Sequence, residues 1–431
     1  MLSLLLLLAP ASPAQAQDAS AIRAQDLQAH ISFLASDLLE GRGSGTRGSM
    51  IASQYVAQHW QRLGLKPANE GSYFHHFELR GSDGEPEVGR NTCAILPGTD
   101  PSVADQYIVI GAHHDHAGLG DPIRGAMGFP GEVHNGADDN ASGTSGALEL
   151  AEYFASNPLR HPILFYTFDA EERGLLGSAA LVRDKVIDPE QMLFMLNLDM
   201  IGRLTDDYLF VGGLGTAEEL DGLLKPIFDA TEGFDFEFHP GGEAPSDNTN
   251  FYRAGVPAMF FFTHIHLDYH LPEDDVEKIN FAGQVRILQL ATRVLAKIDT
   301  LDALSFVQQT REEAAGMPGD FNERMMNHMR NIAERSQKRG RLGIRPGDPT
   351  NNGITIDSVT EGSAAAESGL QGGDVLISID GIRTVDRNSL RRALAAKFKG
   401  SEIELVIVRD GHGLEHGRLA KRVHDRHALR F

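Results

Sequence analysis

A single cysteine, Cys93, stands in 431 residues, so no intrachain disulfide can form. Basic residues are also scarce. Lys and Arg number 39 against 60 Asp and Glu, a net charge of -21, which excludes non-specific binding to nucleic acid or anionic membrane because such partners are met by Lys and Arg. Long apolar runs are missing as well: the run 4–8 falls far short of the roughly 20 residues a spanning helix needs, and no other segment could span a bilayer. That run, with the following Pro and Ala residues and Ala14-Gln15-Ala16, reads as a signal peptide over 1–16, although no Lys or Arg precedes it. The expected location is periplasmic or secreted. The glycines between 41 and 48 lack the strand-loop-helix setting and the lysine of a phosphate-binding loop, and they read as a flexible connection.

What is present is a long alternation of apolar runs and helical periods. The length predicts one large domain and a smaller one. Residues 107–110, 163–168, 192–198 and 258–262 are nearly continuous apolar runs too short for typical helices, which is how strands buried on both faces read. Helical spacing appears between them, in Ala147, Leu150, Ala151 and Phe154, and after them in Val285, Leu288, Leu295 and Ile298. The expectation is an α/β three-layer domain with a mostly parallel central sheet flanked by helices. It should fill residues 17–300.

Chemistry gathers where these runs end. His113 and Asp115 follow the first, Glu171 and Glu172 the second, Asp199 the third, and His264, His266, Asp268, Tyr269 and His270 the last. Ligands of open α/β sheets collect at the carboxyl ends of the strands, so these side chains should meet at one edge, joined by Asp138 at the head of the next helix. Imidazole and carboxylate together suit zinc. His113, Asp138, Glu172, Asp199 and His270 make five candidate ligands, more than one catalytic zinc with its open position takes, and two zinc ions sharing Asp138 fit better. His113 and Asp199 would then hold one ion, and Glu172 and His270 the other. Such a pair holds water between its ions and lowers the water's pKa toward about 7. The carboxylate left over beside a ligand suits a general base, and spacing alone does not separate Glu171 from Glu172 in that role. Asp115 is expected to accept a hydrogen bond from the distal nitrogen of His113. His114, His116, His134 and His264 read as loop or pocket residues.

His113-x-Asp115, Gly136-Ala-Asp138-Asp139-Asn-Ala-Ser-Gly143, Glu171-Glu172-x-Gly174-Leu-x-Gly177-Ser, Asn197-Leu-Asp199-Met and Asp268-Tyr-His270-x-Pro272-x-Asp274 together resemble the secreted dizinc aminopeptidases of metallopeptidase family twenty-eight, relatives of glutaminyl cyclase. The resemblance covers residues 25–298. It implies the ligand assignment above, Glu171 as general base, and a cis peptide between Asp138 and Asp139. Where many members carry Ser-Asp-His near the substrate pocket, this chain has Ser246-Asp247-Asn248, and Asp247, His266 and Tyr269 are the expected substrate-binding residues. The loop between the first two motifs, with Pro122, Pro130 and His134, is the expected pocket wall.

Beyond residue 300 the composition turns charged and helix-prone, a connector over 301–337 with Met325, Met326 and Met329 as a packing stripe. Residues 338–412 resemble a small α+β PDZ domain, in which Leu342, Gly343 and Ile344 stand at the peptide-binding loop and 388–395 would form the groove helix. Such a domain captures a C-terminal peptide by strand addition. A basic tail occupies 413–431. The whole reads as a zinc aminopeptidase acting on peptide substrates. A glutaminyl cyclase-like acyltransferase and a non-catalytic, PDZ-led binding protein are the alternatives.

Overall fold

The computed structural model describes residues 22–81, 84–337, 342–386, 389–390, 393–394 and 403–409. The signal segment, the basic tail and half of the groove-helix range lie outside them.

The first domain is organised by a nine-stranded sheet of β1 (Lys66–Pro67), β2 (Phe74–Arg80), β3 (Pro86–Leu96), β4 (Tyr107–His113), β5 (Ile163–Phe168), β6 (Met192–Leu198), β7 (Tyr208–Gly212), β8 (Asp235–His239) and β9 (Ala258–Phe262). The order is β1-β3-β5-β4-β6-β9-β7-β8, with β2 on β3. The centre, β5-β4-β6-β9, is parallel, and antiparallel pairing is confined to both flanks. The three apolar runs 163–168, 192–198 and 258–262 coincide with β5, β6 and β9, all fully buried.

Alternation along those strands serves two layers. Ile108, Ile110, Phe165, Phe194, Leu196 and Phe261 face one way, against Val56 and Trp60 of the helix Arg47–Arg62, Phe154 of Gly143–Ser156 and Ile287 of Phe281–Ile298. Val109, Leu164, Tyr166, Phe168 and Met195 face the other, against Leu181 of Leu176–Arg183 and Phe251 and Tyr252 of Asn248–Arg253. Helices thus cover both faces. Every loop able to carry chemistry is left at the strand ends.

Two features differ from expectation. The glycine-rich stretch near residue 42 is packed rather than flexible: the Arg42 guanidinium is fully buried and donates to the carbonyls of His114, Leu34, Asn135 and Gly136. It ties the two motif loops to the amino-terminal helices. In the connector, the helix Phe321–Gln337 packs Met325 against the domain, whereas Met326 and Met329 are 68% and 52% exposed, so the methionine stripe is not a packed face.

The second domain has a separate core, with Leu342, Ile354, Ile356, Leu376, Ile379 and Leu405 buried together. Its strands are β10 (Ile344–Pro349), β11 (Ile354–Val359), β12 (Val375–Ile379), β13 (Ile382–Arg383) and β14 (Leu405–Val408), with β12 between β11 and β14. Leu342 is buried in that core and Ile344 opens β10. Gly343 takes a φ of +82°, and a Cβ there would lie 2.2 Å from that of Ser363, so the turn needs glycine.

Candidate metal centre

The carboxyl ends of the parallel strands bring two donor groups together. One holds His113, Glu171 and Asp199, and the other His116, Asp139, Glu172 and His270, each with ligand atoms within 4.8 Å of one another. His113 closes β4, Asp199 follows β6, and the two glutamates follow β5. His270 arrives from the loop after β9.

Asp139, not Asp138, stands between the groups. Its Oδ1 lies 3.3 Å from His113 Nε2, and its Oδ2 lies 3.0 Å from His270 Nε2. Asp138 turns away. Its Oδ1 accepts a hydrogen bond from the Gly202 N–H at 2.7 Å and its Oδ2 lies 3.4 Å from His266 Nε2. The cis peptide likewise joins Asp139 to Asn140, one residue later than expected. His116 is the residue the sequence reading left out, with Nδ1 2.7 Å from Glu172 Oε1.

The hydrogen bonds on the far sides of the rings fix what the near sides offer. His270 Nδ1 donates to the Gly125 carbonyl at 2.6 Å, and His113 Nδ1 to the Asp115 carbonyl at 3.2 Å. The Nε2 of each neutral ring is therefore a lone pair facing carboxylate oxygens. For His270 these belong to Asp139 and Glu172, both at 3.0 Å, and for His113 to Asp139 at 3.3 Å and Asp199 at 3.4 Å. Lone pairs do not face one another at such distances unless a cation lies between them. Protons can fill that place. Burial opposes charge on His113, but Glu171 and Asp199 outweigh it and hold its pKa well above the usual value, and Glu172 and Asp139 do the same for His270. Glu172 is penalised by burial, yet His270 brings it down to about 2. Burial, opposed by His113 and reinforced by Glu172, keeps Glu171 well above the ordinary range. Imidazole nitrogen and carboxylate oxygen converging in this way fit zinc.

Support comes from groups behind the donors. Asp115 does so differently from expectation: its backbone carbonyl meets His113, while its carboxylate, 3.7 Å from that ring, accepts the Glu171 N–H at 3.1 Å. Ser246 donates to Asp199 Oδ2 at 2.6 Å and is itself held by the Asn197 amide at 2.7 Å. Gly125 has a φ of +84°, and a Cβ there would lie 2.4 Å from Glu172 Oε2, so only glycine lets this carbonyl reach His270. Fully buried Asp274 holds the shared aspartate's loop. Its Oδ2 accepts the N–H groups of Asp138 and Asp139 at 2.9 and 3.0 Å, and its Oδ1 pairs with Arg203 at 2.7 Å. Asp274→Ala is expected to weaken zinc binding about 10- to 100-fold, as loss of groups that orient ligands does, and a zinc titration with a competing chelator reads it.

Beside the donors lies a cleft of about 40 Å³, lined on one side by His113, Asp139, Glu171, Asp199 and His270. Of the expected substrate-binding residues only Tyr269 lines it. Its ring lies 3.8 Å from that of His270. Asp247 is fully buried, with burial pushing its carboxyl up to about 7, and His266 turns toward Asp138. Pro122 and Pro130 line a different cavity, of about 320 Å³, with Glu40, Thr46 and Arg124. The loop expected as the cleft's wall therefore contributes mainly the Gly125 carbonyl.

Residues 91–295 match the model of peptidase family M28, and residues 340–416 match that of the PDZ domain. The aminopeptidase YwaD of Bacillus subtilis is 34% identical over 163 residues, 34% of this chain and 34% of its own length. Across the curated relatives it matches, the chain spans a third to about half of their length. In fold, the first domain is similar to a Zn-dependent exopeptidase from Parabacteroides distasonis, with a TM-score of 0.54, 16% identity, and coverage of 64% of this chain and 98% of that one. It is similar also to the glutaminyl cyclase of Porphyromonas gingivalis, with a TM-score of 0.53, 18% identity, and coverage of 64% and 98%.

Proposed function

We propose that the chain, whose residues 91–295 match the model of peptidase family M28 and whose residues 340–416 match that of the PDZ domain, is a zinc aminopeptidase that removes residues from the amino termini of peptides. The observation that carries this reading is the pair of donor groups sharing one carboxylate. His113 and Asp199 would hold one zinc ion, Glu172 and His270 with His116 beside them the other, and Asp139 would serve both. When bound, a zinc pair supplies Lewis acidity toward a peptide carbonyl and lowers the pKa of water toward about 7.

The chain's own residues do the rest. Asp139, Glu172 and Asp199 would offset the charge of the bound zinc pair. Glu171 lines the cleft, and its Oε2 lies 4.0 Å from His113 Nε2. With the charge of bound zinc beside it, Glu171 would ionise, take a proton from the attacking water and return it to the amine nitrogen of the departing peptide. Asp115 keeps it in place through the Glu171 N–H, and Tyr269 and His270 line the cleft beside it.

The PDZ domain would bind a peptide carboxyl terminus at Leu342, Gly343 and Ile344 by adding a strand, which gives the enzyme a second, non-catalytic hold on substrates or partners. The leader at 1–16 would direct the chain to the periplasm or outside the cell.

The experiment is a peptide panel with free, acetylated and glutamine amino termini. The expected result is stepwise release of amino-terminal residues from free peptides only. Ring closure of amino-terminal glutamine with no release would replace this reading by the cyclase one.

A further inference from the structure

The cleft beside the donor groups has an apolar far side. Met200, Phe260, Phe262 and Ile265 come from the sheet and its loops, but Met317 and Phe321 belong to the connector, outside the span that matches the peptidase family. The connector segment is anchored there. Ala314 and Gly316 exchange backbone hydrogen bonds with Glu243 at 2.7 and 2.6 Å, and the Gly319 N–H donates to Glu237 Oε1 at 2.8 Å. Asp320 Oδ1 lies 2.6 Å from His264 Nε2, its Oδ2 meets Arg324 at 2.7 Å, and the Phe321 ring stacks over His264. Phe321 and Met317 therefore sit where backbone and ionic contacts put them.

Size and polarity then limit what can enter. A volume of about 40 Å³ holds roughly three waters at the 10–15 Å³ each requires. Apart from Tyr269, the groups able to interact with charge lie only on the donor side, so a charged side chain pointing to the far side would lose its hydration without a partner.

We propose that Met317 and Phe321 of the connector are specificity-determining residues: they form the end wall of the subsite for the substrate's amino-terminal side chain and restrict it to small apolar groups. This rests on the aminopeptidase reading and adds to it the substrate class and the connector's part in selecting it.

Two measurements on the full chain test the proposal. The first compares kcat/KM for alanyl, leucyl and phenylalanyl arylamides. The wild type should favour alanine and leucine over phenylalanine, and Phe321→Ala should raise the phenylalanine-to-alanine ratio at least tenfold, the lower range of what apolar pocket shape discriminates. Phe321→Leu and Met317→Ala, which remove less volume, should move it in the same direction. The second measures binding of free L-alanine, L-leucine and L-phenylalanine to zinc-loaded protein by calorimetry, which needs no turnover. A shifted binding preference without hydrolysis of any arylamide keeps the wall and removes the aminopeptidase reading. Hydrolysis with ratios unchanged in all three variants overturns the wall and keeps the aminopeptidase. Neither binding nor hydrolysis overturns both.

Discussion

Asp139→Asn lowers arylamide turnover by about a thousandfold or more and reduces bound zinc, whereas Asp138→Asn keeps both within about tenfold. The two residues are adjacent and both are buried, so composition and burial do not distinguish them. Geometry does. The oxygens of Asp139 face both donor groups, and an amide leaves one side a neutral oxygen and presents a donor to the other. Groups that merely orient a ligand are worth about 10- to 100-fold, and a carboxylate serving both groups should exceed that. The Asp138 carboxylate accepts the Gly202 N–H, a bond that an Asn carbonyl oxygen can also accept. Kinetics with elemental analysis of the same samples separates the variants. Equal loss in both would remove Asp139 from its place.

Glu171→Gln is the second large effect, a fall in kcat of about 10²- to 10⁴-fold, the range of general acid–base catalysis, with zinc content retained. The amide keeps the size of the side chain, and the supporting hydrogen bond to Asp115 comes from the backbone N–H, so the local fold should survive. The amide cannot accept and return a proton. Loss of zinc with loss of activity would make Glu171 a ligand instead, a role open to it through its place beside His113 and Asp199.

The parallel centre of the sheet could be read from the sequence because β5, β6 and β9 are buried on both faces and carry unbroken apolar runs. Strand β8 could not. It lies at the sheet edge, half exposed, and alternates Asp235, Glu237 and His239 with phenylalanines, so no buried run announces it. In the site, the structure brings His113, Glu172, Asp199 and His270 together because each stands at, or in the loop after, the carboxyl end of a strand of the parallel centre. The shared aspartate lies instead in an irregular turn before a helix, and its orientation is set by distant partners. Asp274 holds the N–H groups of both aspartates, and Gly202 takes the Asp138 carboxylate. No local spacing encodes those contacts. His116 reaches Glu172 through the same kind of long-range folding, and its place in the dense His113-His-Asp-His116 run is the one local signal for it. Arg42 lay hidden among glycines that looked like a linker. Three of its four partners are backbone carbonyls more than 70 residues away in the motif loops, which carry no side-chain code.

The measurement that bears most directly on a two-ion peptidase centre is a zinc titration of chelator-stripped, full-length protein, with bound metal and release of amino-terminal residues followed together. A two-ion centre gives no turnover without metal and saturation at two ions per chain, with full activity reached only when both groups are filled. Full activity at one ion per chain, or turnover that persists in the stripped protein, would contradict it.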